Sequence, residues 1–301
     1  MENKASITAL VSAFSRAFHA ESETNPVFSD TTARKLLSDE EYKMIENYIL
    51  GGIDFFAPEK KNKFTSDKEA LRYLVNTQLA PTPLCRAAYC ENAMKTAALT
   101  GTEQFVILGA GLDTFAFREK RFLEKFKTFE VDHPLTQEDK LNRLKSGGLT
   151  PPENLRFVGV DFTADSLTEK LTAAGFDRSK KTFFSWLGVS YYLYRHEIEN
   201  LLGELAGLGS EGSTLVFDYA DADLFSADER RVKNMIAMAN AGGEEIRACF
   251  DYISIEKLLS EHGFLVYEML MPHSIQSQII DPAGTDIKAF EHINYIQAVL
   301  K

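Results

Sequence analysis

Phe105-Val-Ile-Leu-Gly-Ala-Gly-Leu-Asp-Thr-Phe-Ala-Phe-Arg118 sets an apolar run directly against two closely spaced glycines and an Asp-Thr pair. The run has the length and composition of a buried strand, and the glycines end it abruptly. Gly109 and Gly111 carry no Cβ, so the backbone there can turn sharply and lie against a flat or extended ligand. The stretch reads as a strand feeding a ligand-binding turn, with a nucleotide-like cofactor as its natural occupant.

The next apolar run, 126–131, ends in Asp132, 21 positions after Gly111. An acid about 20 residues beyond a glycine turn accepts hydrogen bonds from ribose hydroxyls in dinucleotide-binding units. Thr114, however, stands where the third glycine of a G-x-G-x-x-G fingerprint belongs. A side chain there does not suit the close helix approach that pyrophosphate binding uses, which argues against NAD. No Gly-Lys-Ser or Gly-Lys-Thr occurs in the chain, so no P-loop is present. A cofactor with an adenosine and no phosphates remains, which is S-adenosylmethionine.

Three segments carry a family likeness: Leu108-Gly-Ala-Gly-Leu-Asp-Thr114 with Arg118, Phe129-Glu-Val-Asp-His-Pro-Leu-Thr-Gln137 with Lys140, and Val158-Gly-Val-Asp-Phe162. Together they resemble the leucine carboxyl methyltransferase family, in its bacterial branch of O-methyltransferases assigned to polyketide synthesis. The likeness runs from about Thr8 to Tyr219 and includes Thr8-Ala-Leu10, Ser15-Arg-Ala-Phe-His19 and Val27-Phe-Ser-Asp30 near the start. It implies a Rossmann-like class I methyltransferase fold: a seven-stranded, mostly parallel sheet whose last strand is antiparallel and inserted beside the sixth.

Working outward, strand and helix signals alternate from residue 105 onward, the pattern of an α/β fold with helices on both faces of a parallel sheet. Strands are expected near 105–109, 126–131, 155–160, 181–187, 213–219, 264–271 and 293–300. Ile198, Leu201, Leu202 and Leu205 form one stripe of a helix beginning at His196 and closed by Gly207 and Gly209. Before the sheet, Ile7, Leu10, Val11, Phe14, Ala17 and Phe18 repeat at helical spacing, and further helical patterns cover 39–50 and 67–79. Residues 1–100 therefore read as an amino-terminal helical cap and 101–301 as the cofactor-binding domain. The charged run Glu59-Lys-Lys-Asn-Lys63 reads as a solvated loop.

The resemblance also implies roles at the site. Gly109, Ala110 and Gly111 with Asp113 would line the methionine part of the cofactor, and Arg86 would grip its carboxylate. Asp132, with His133 beside it, would hold the ribose hydroxyls, while Asp161 and Phe162 would meet the edge and face of adenine. These assignments are chemically consistent, because an exocyclic amine donates to a carboxylate and an aromatic ring stacks on a purine. At Leu187 the chain departs from the family, which carries a glutamate there, next to Gly188, near the cofactor ammonium.

Methyl transfer from a sulfonium is an in-line displacement, so holding nucleophile, methyl and sulfur collinear is the main catalytic task. A carboxylate nucleophile needs no general base. A hydroxyl needs one, and His133, Tyr192 and Asp218 are the candidates, none of them fixed by the sequence. Tyr191 is read, like Tyr192, as cavity wall before catalyst.

The formal net charge of −11 argues against nucleic acid as a partner, since phosphate backbones need a basic track. No Asn/Asp-Pro-Pro-aromatic motif occurs, because Pro151-Pro152 lies between Thr150 and Glu153. No basic start precedes an apolar segment and no apolar run approaches ~18 residues, so neither export nor membrane spanning is expected, and a cytoplasmic location is. Cys85, Cys90 and Cys249 form no paired C-x-x-C set, so no metal is expected. The expected function is S-adenosylmethionine-dependent O-methylation of a carboxylate or hydroxyl on a small molecule, with S-adenosylhomocysteine as product. Two alternatives stand beside it: methylation of a protein carboxyl terminus, and non-catalytic cofactor binding, the latter motivated by Leu187. A nicotinamide dehydrogenase is disfavoured by Thr114 and by the lack of a Tyr-x-x-x-Lys set. Acceptor identity and oligomeric state are not readable from the chain.

Overall fold

The computed structural model describes residues 7–301, so the first six positions of the expected cap lie outside the described residues. Local chemistry sets the amino-terminal helices α1 (Ile7–Ser22), α2 (Asp39–Gly51), α3 (Ile53–Phe56), α4 (Asp67–Leu74) and α5 (Pro81–Leu99). Ser38 and Glu41 form a reciprocal capping box at the start of α2, Ser66 caps α4, and Pro81 opens α5 where its missing N–H costs nothing. Between α4 and α5 the chain runs through one π-helical turn, Val75–Leu79, so the helical pattern over 67–79 is present with a widened last turn.

Eight strands follow: β1 (Gln104–Leu108), β2 (Lys127–Asp132), β3 (Leu155–Gly159), β4 (Thr182–Trp186), β5 (Thr214–Asp221), β6 (Cys249–Phe250), β7 (Phe264–Leu270) and β8 (Ile293–Leu300). Seven match the expected strands within two residues, and the two-residue β6 is an addition. The order is β3-β2-β1-β4-β5-β8-β7, parallel from β3 to β5, with β8 antiparallel to both β5 and β7. β4 pairs with β5 only as far as Trp186–Phe217, and β6 takes up the same edge farther along, at Ala220 and Asp221. A pair of residues with no turn signal or periodicity around it leaves no legible mark in a sequence.

Every residue of β1 and β4 is buried, as a central parallel strand covered on both faces requires. Alternate side chains serve two apolar clusters. Phe105, Phe183 and Val216 pack with Phe14, Leu84 and Met94 of the amino-terminal helices. Val106, Phe184 and Phe217 pack on the other face with Leu202 and Leu205, part of the Arg195–Leu208 helix, and with Leu258 and Leu259. That helix starts one residue before the expected His196, and Gly209 is its C-cap while Gly207 is still helical. The cap helices thus share one continuous core with the sheet. Among the described residues no helix is long and apolar enough to cross a membrane.

Candidate functional site

A cavity of about 400 Å³ opens at the carboxyl ends of the parallel strands. It lies where the strand order reverses, between β1 and β4, which is where doubly wound sheets take their ligands. Arg86, Gly109, Ala110, Gly111, Asp113, Asp132, His133, Asp161, Phe162, Leu187 and Tyr192 all line it, although they come from five separate segments. Ala9, Ser12 and Arg16 of α1 close one side. Asp218 does not line it.

The glycine turn after β1 holds Gly109 at φ +63° and Gly111 at φ +46°, the left-handed region that favours glycine. A Cβ at Gly109 would stand 2.3 Å from Val189 Cγ2. The steric demand at that position therefore comes from the protein's own wall as well as from any ligand. Ala110 N donates to Val131 O at 3.1 Å, tying the turn to β2.

Asp132 ends β2 with one carboxylate oxygen on this turn and the other on the backbone of the next residue. Oδ2 accepts from Gly111 N, and Oδ1 accepts from His133 N at 2.7 Å. Burial raises its proton affinity, and the two N–H donors oppose that rise. A carboxylate offers about four lone-pair sites, so two remain for a ligand. Two residues earlier on the same face of β2, Glu130 is buried against Lys140, whose Nζ donates to Oε2. Oε1 of Glu130 has no partner among the described residues.

Burial pushes the Glu130 carboxyl up to about 7, against the pull of Lys140. A folded-state value above the ordinary 4.5 means that the folded protein holds a proton that the unfolded chain releases. The associated stability is full below that ordinary value and is lost as pH rises through 7. Glu130→Gln, which does not titrate, is expected to flatten this fall by on the order of 2 kcal/mol between about pH 5 and about pH 8. Urea unfolding of both proteins across that range measures it, and parallel stability curves would refute the assignment.

Asp161 follows β3 and is already partly engaged. Its Oδ1 accepts from Thr163 N at 2.9 Å and Thr163 Oγ1 at 2.7 Å, which holds its carboxyl below the usual range. Its Oδ2 faces the His133 ring, 3.9 Å from Nε2. His133 caps the helix Pro134–Ser146, with Nδ1 accepting from Leu135 N at 3.3 Å. In that tautomer the proton sits on Nε2, toward Asp161, so the ring is an orienting group and not a poised base.

Arg86 reaches from α5 into the far end of the cavity. Its Nη1 donates to Asp218 Oδ2 at 3.1 Å and to Tyr191 Oη at 3.0 Å. Asp218 Oδ1 accepts from Gly188 N at 2.6 Å, and the side chain is fully buried. The expectation that Asp218 could serve as a base finds no support in this geometry: its fully buried carboxylate holds Arg86 and Gly188 N and does not line the cavity. It positions Arg86 and the Leu187-Gly188 turn. Tyr191 and Tyr192 pack edge to face, with ring centroids 4.7 Å apart, and burial raises both phenols well above their ordinary value. Neither ring offers a phenolate. Leu187 is half-buried, lines the cavity and packs on the adjoining apolar cluster.

One set of residues had no role in the sequence reading. Asp30 is fully buried beside the glycine turn, where Thr114 Oγ1 donates to it at 2.7 Å, and Arg16 Nε and Arg118 Nε stand 3.2 and 3.3 Å from its oxygens. Arg118 also pairs with Glu91, and Arg16 Nη2 donates to Leu112 O at 2.6 Å. Thr114, read only as a missing glycine, is the hydroxyl that ties the turn to this hub.

The family model described as leucine carboxyl methyltransferase matches residues 9–206. A Bacillus subtilis (strain 168) protein named "Putative S-adenosyl-L-methionine-dependent methyltransferase YktD" is 43% identical over 303 residues, covering 100% of this chain and 99% of the relative. Among solved structures, a "putative methyltransferase" from Thermobifida fusca YX superposes with a TM-score of 0.59 at 14% identity, covering 100% of this chain and 96% of that one. A duf574 family protein from Streptomyces avermitilis gives a TM-score of 0.55 at 16% identity, covering 85% and 96%. At such identities the two structures speak for the fold alone.

Proposed function

The chain belongs to the leucine carboxyl methyltransferase family, and from that premise we propose that it is an S-adenosylmethionine-dependent O-methyltransferase acting on a carboxylate or hydroxyl of a small molecule. One observation carries the reading. Arg86, the glycine turn, Asp132 and the Asp161-Phe162 pair line a single cavity at the strand-order switch. Its volume falls within the range of about 300–1,000 Å³ that small-molecule cofactor sites occupy.

The residues present fit the cofactor at most of its groups. Asp132 keeps acceptor capacity toward the cavity for ribose hydroxyls, Phe162 supplies an aromatic face, and Arg86 borders the space with its guanidinium held by Asp218. When bound, the cofactor supplies an electrophilic methyl on a positively charged sulfur. The protein's part is to align the acceptor oxygen with that methyl and to exclude water. Asp218 is paired, Nδ1 of His133 is engaged by Leu135 N and both tyrosines are raised, so none of the base candidates read from the sequence is poised to take a proton. This favours an acceptor oxygen that arrives already ionised, a carboxylate or an acidic phenol.

Leu187 favours a second reading, a cofactor-binding homologue without catalysis, because the acid that would face the ammonium is absent. Calorimetric titration with S-adenosylmethionine and S-adenosylhomocysteine, with NAD as control, tests the first reading: micromolar binding of the first two supports it, and none overturns it. Transfer of labelled methyl to a library of carboxylic acids and phenols then separates the two readings. Leu187→Glu is expected to tighten S-adenosylhomocysteine by roughly ten- to a hundredfold, the effect of one charge-assisted hydrogen bond of about 1.5–3 kcal/mol. Unchanged affinity in a variant that still melts cooperatively would show that other acceptors already serve the ammonium.

A further inference from the structure

The charges around the cavity are lopsided. Six acids line it: Asp113, Asp132, Asp161, Glu197, Glu244 and Glu245. Against them stand three arginines, Arg16, Arg86 and Arg247. Arg16 is committed to Asp30 and Leu112 O, and Arg86 to Asp218 and Tyr191. The guanidinium of Arg247 has neither hydrogen bond nor ion pair among the described residues, and its carbon lies 4.6 Å from the Tyr194 ring centroid. Stacking on an aromatic face orients the guanidinium plane and leaves its N–H edge open for planar, two-pronged recognition of a carboxylate.

The position of this arginine is fixed even though its head is exposed. Arg247 N donates to Tyr191 O at 2.7 Å, and Ala248 N bonds the same carbonyl, so the backbone is pinned to the Tyr191-Tyr192 wall. Tyr194 is half exposed, which places the stack at the cavity mouth. Of the acids nearby, Glu197 accepts from Tyr194 N at 2.7 Å and Glu244 accepts from Thr8 Oγ1, while exposed Glu245 forms no ion pair with Arg247 among the described residues.

We propose that Arg247, stacked on Tyr194, receives a carboxylate of the methyl acceptor that is distinct from the oxygen being methylated. The inference deepens the methyltransferase reading and rests on it. An oxygen clamped by a guanidinium has its lone pairs drawn into charge-assisted bonds and is a poorer nucleophile, so the group held here is a handle. The handle orients the acceptor from the mouth while the reacting oxygen extends inward. Away from the arginines the acid-rich wall repels an anion, and of the three arginines only the guanidinium of Arg247 has no hydrogen-bond or ion-pair partner among the described residues, so it is the place for an acidic acceptor to dock its handle.

The test uses the protein saturated with S-adenosylhomocysteine, as wild type, Arg247→Ala and Arg247→Lys. Each is titrated calorimetrically with benzoate, 4-hydroxybenzoate, phenylacetate and hexanoate, and with the corresponding carboxamides. Wild type is expected to bind at least one carboxylate about tenfold more tightly than its amide, Arg247→Ala to lose that preference and Arg247→Lys to regain part of it. S-adenosylhomocysteine affinity is expected to be the same in all three. Equal binding of acid and amide, no carboxylate binding, or a preference that survives in Arg247→Ala overturns the proposal. Failure of the methyltransferase reading shows separately, as wild type that does not bind S-adenosylhomocysteine. In that case the same titrations of the unloaded protein decide for or against the anion site by the same criteria.

Discussion

Asp132→Ala is expected to weaken S-adenosylhomocysteine binding by roughly 10²–10³-fold while leaving the protein folded. The magnitude follows from the geometry of one carboxylate with two tasks. Toward the protein it accepts from Gly111 N and His133 N, which fixes the glycine turn against β2. Toward the cavity its remaining lone pairs are the ribose acceptors proposed above. Two charge-assisted hydrogen bonds at about 1.5–3 kcal/mol each exceed the observable loss, because water replaces part of what is removed. A freed Gly111 N–H adds to the loss by loosening the turn. Asp132→Asn separates the tasks, since an amide keeps the shape but must place its NH₂ against one of two N–H donors, and its effect should fall between wild type and alanine. Calorimetry on both variants, with circular dichroism to confirm folding, is the measurement. A folded Asp132→Ala protein that binds within about threefold of wild type removes Asp132 from the cofactor site.

Local patterns were legible as structure. The two glycines, the acid 21 positions later and the stripe on the Arg195–Leu208 helix are short-range patterns, and the fold that they imply follows from the alternation of strand and helix. Positions where function depends on a distant partner were not. Thr114 and Asp30 are 84 residues apart, and nothing near either one announces their hydrogen bond. Asp218 looked like a candidate base because an acid at a strand end is chemically versatile, and only the contact with Arg86, 132 residues away, commits it to positioning. Asp161 is a turn residue and a cavity residue at once, since one oxygen holds Thr163 and the other faces His133. His133 became an orienting group only when the cap it forms fixed its tautomer.

The Asp30 hub carries the largest stability prediction. Asp30 lies between α1 and α2, yet its carboxylate is fully buried against the glycine turn, accepting from Ala33 N at 3.0 Å and Thr114 Oγ1 at 2.7 Å between two arginines. Asp30→Ala would strand Arg16, nearly buried and left with the Leu112 carbonyl, and would leave Arg118 with Glu91 as its one remaining carboxylate and with the Thr114 hydroxyl. Removing one partner of a buried ionic cluster costs about 3–5 kcal/mol, because the surviving charges stay desolvated. For a chain of this size that corresponds to a fall in Tm of roughly 5–15 °C. The variant should also bind S-adenosylhomocysteine several-fold more weakly, because Thr114 and Leu112 belong to the segment leaving the glycine turn. Asp30→Asn retains a carbonyl acceptor for Thr114 but not the charge, so it should recover binding more fully than stability. If Asp30→Ala melts within about 2 °C of wild type, the apolar cluster shared by the cap helices and the sheet holds the two together by itself, and the ionic hub only sets their register. That outcome would still leave the binding measurement to say whether register matters to the turn.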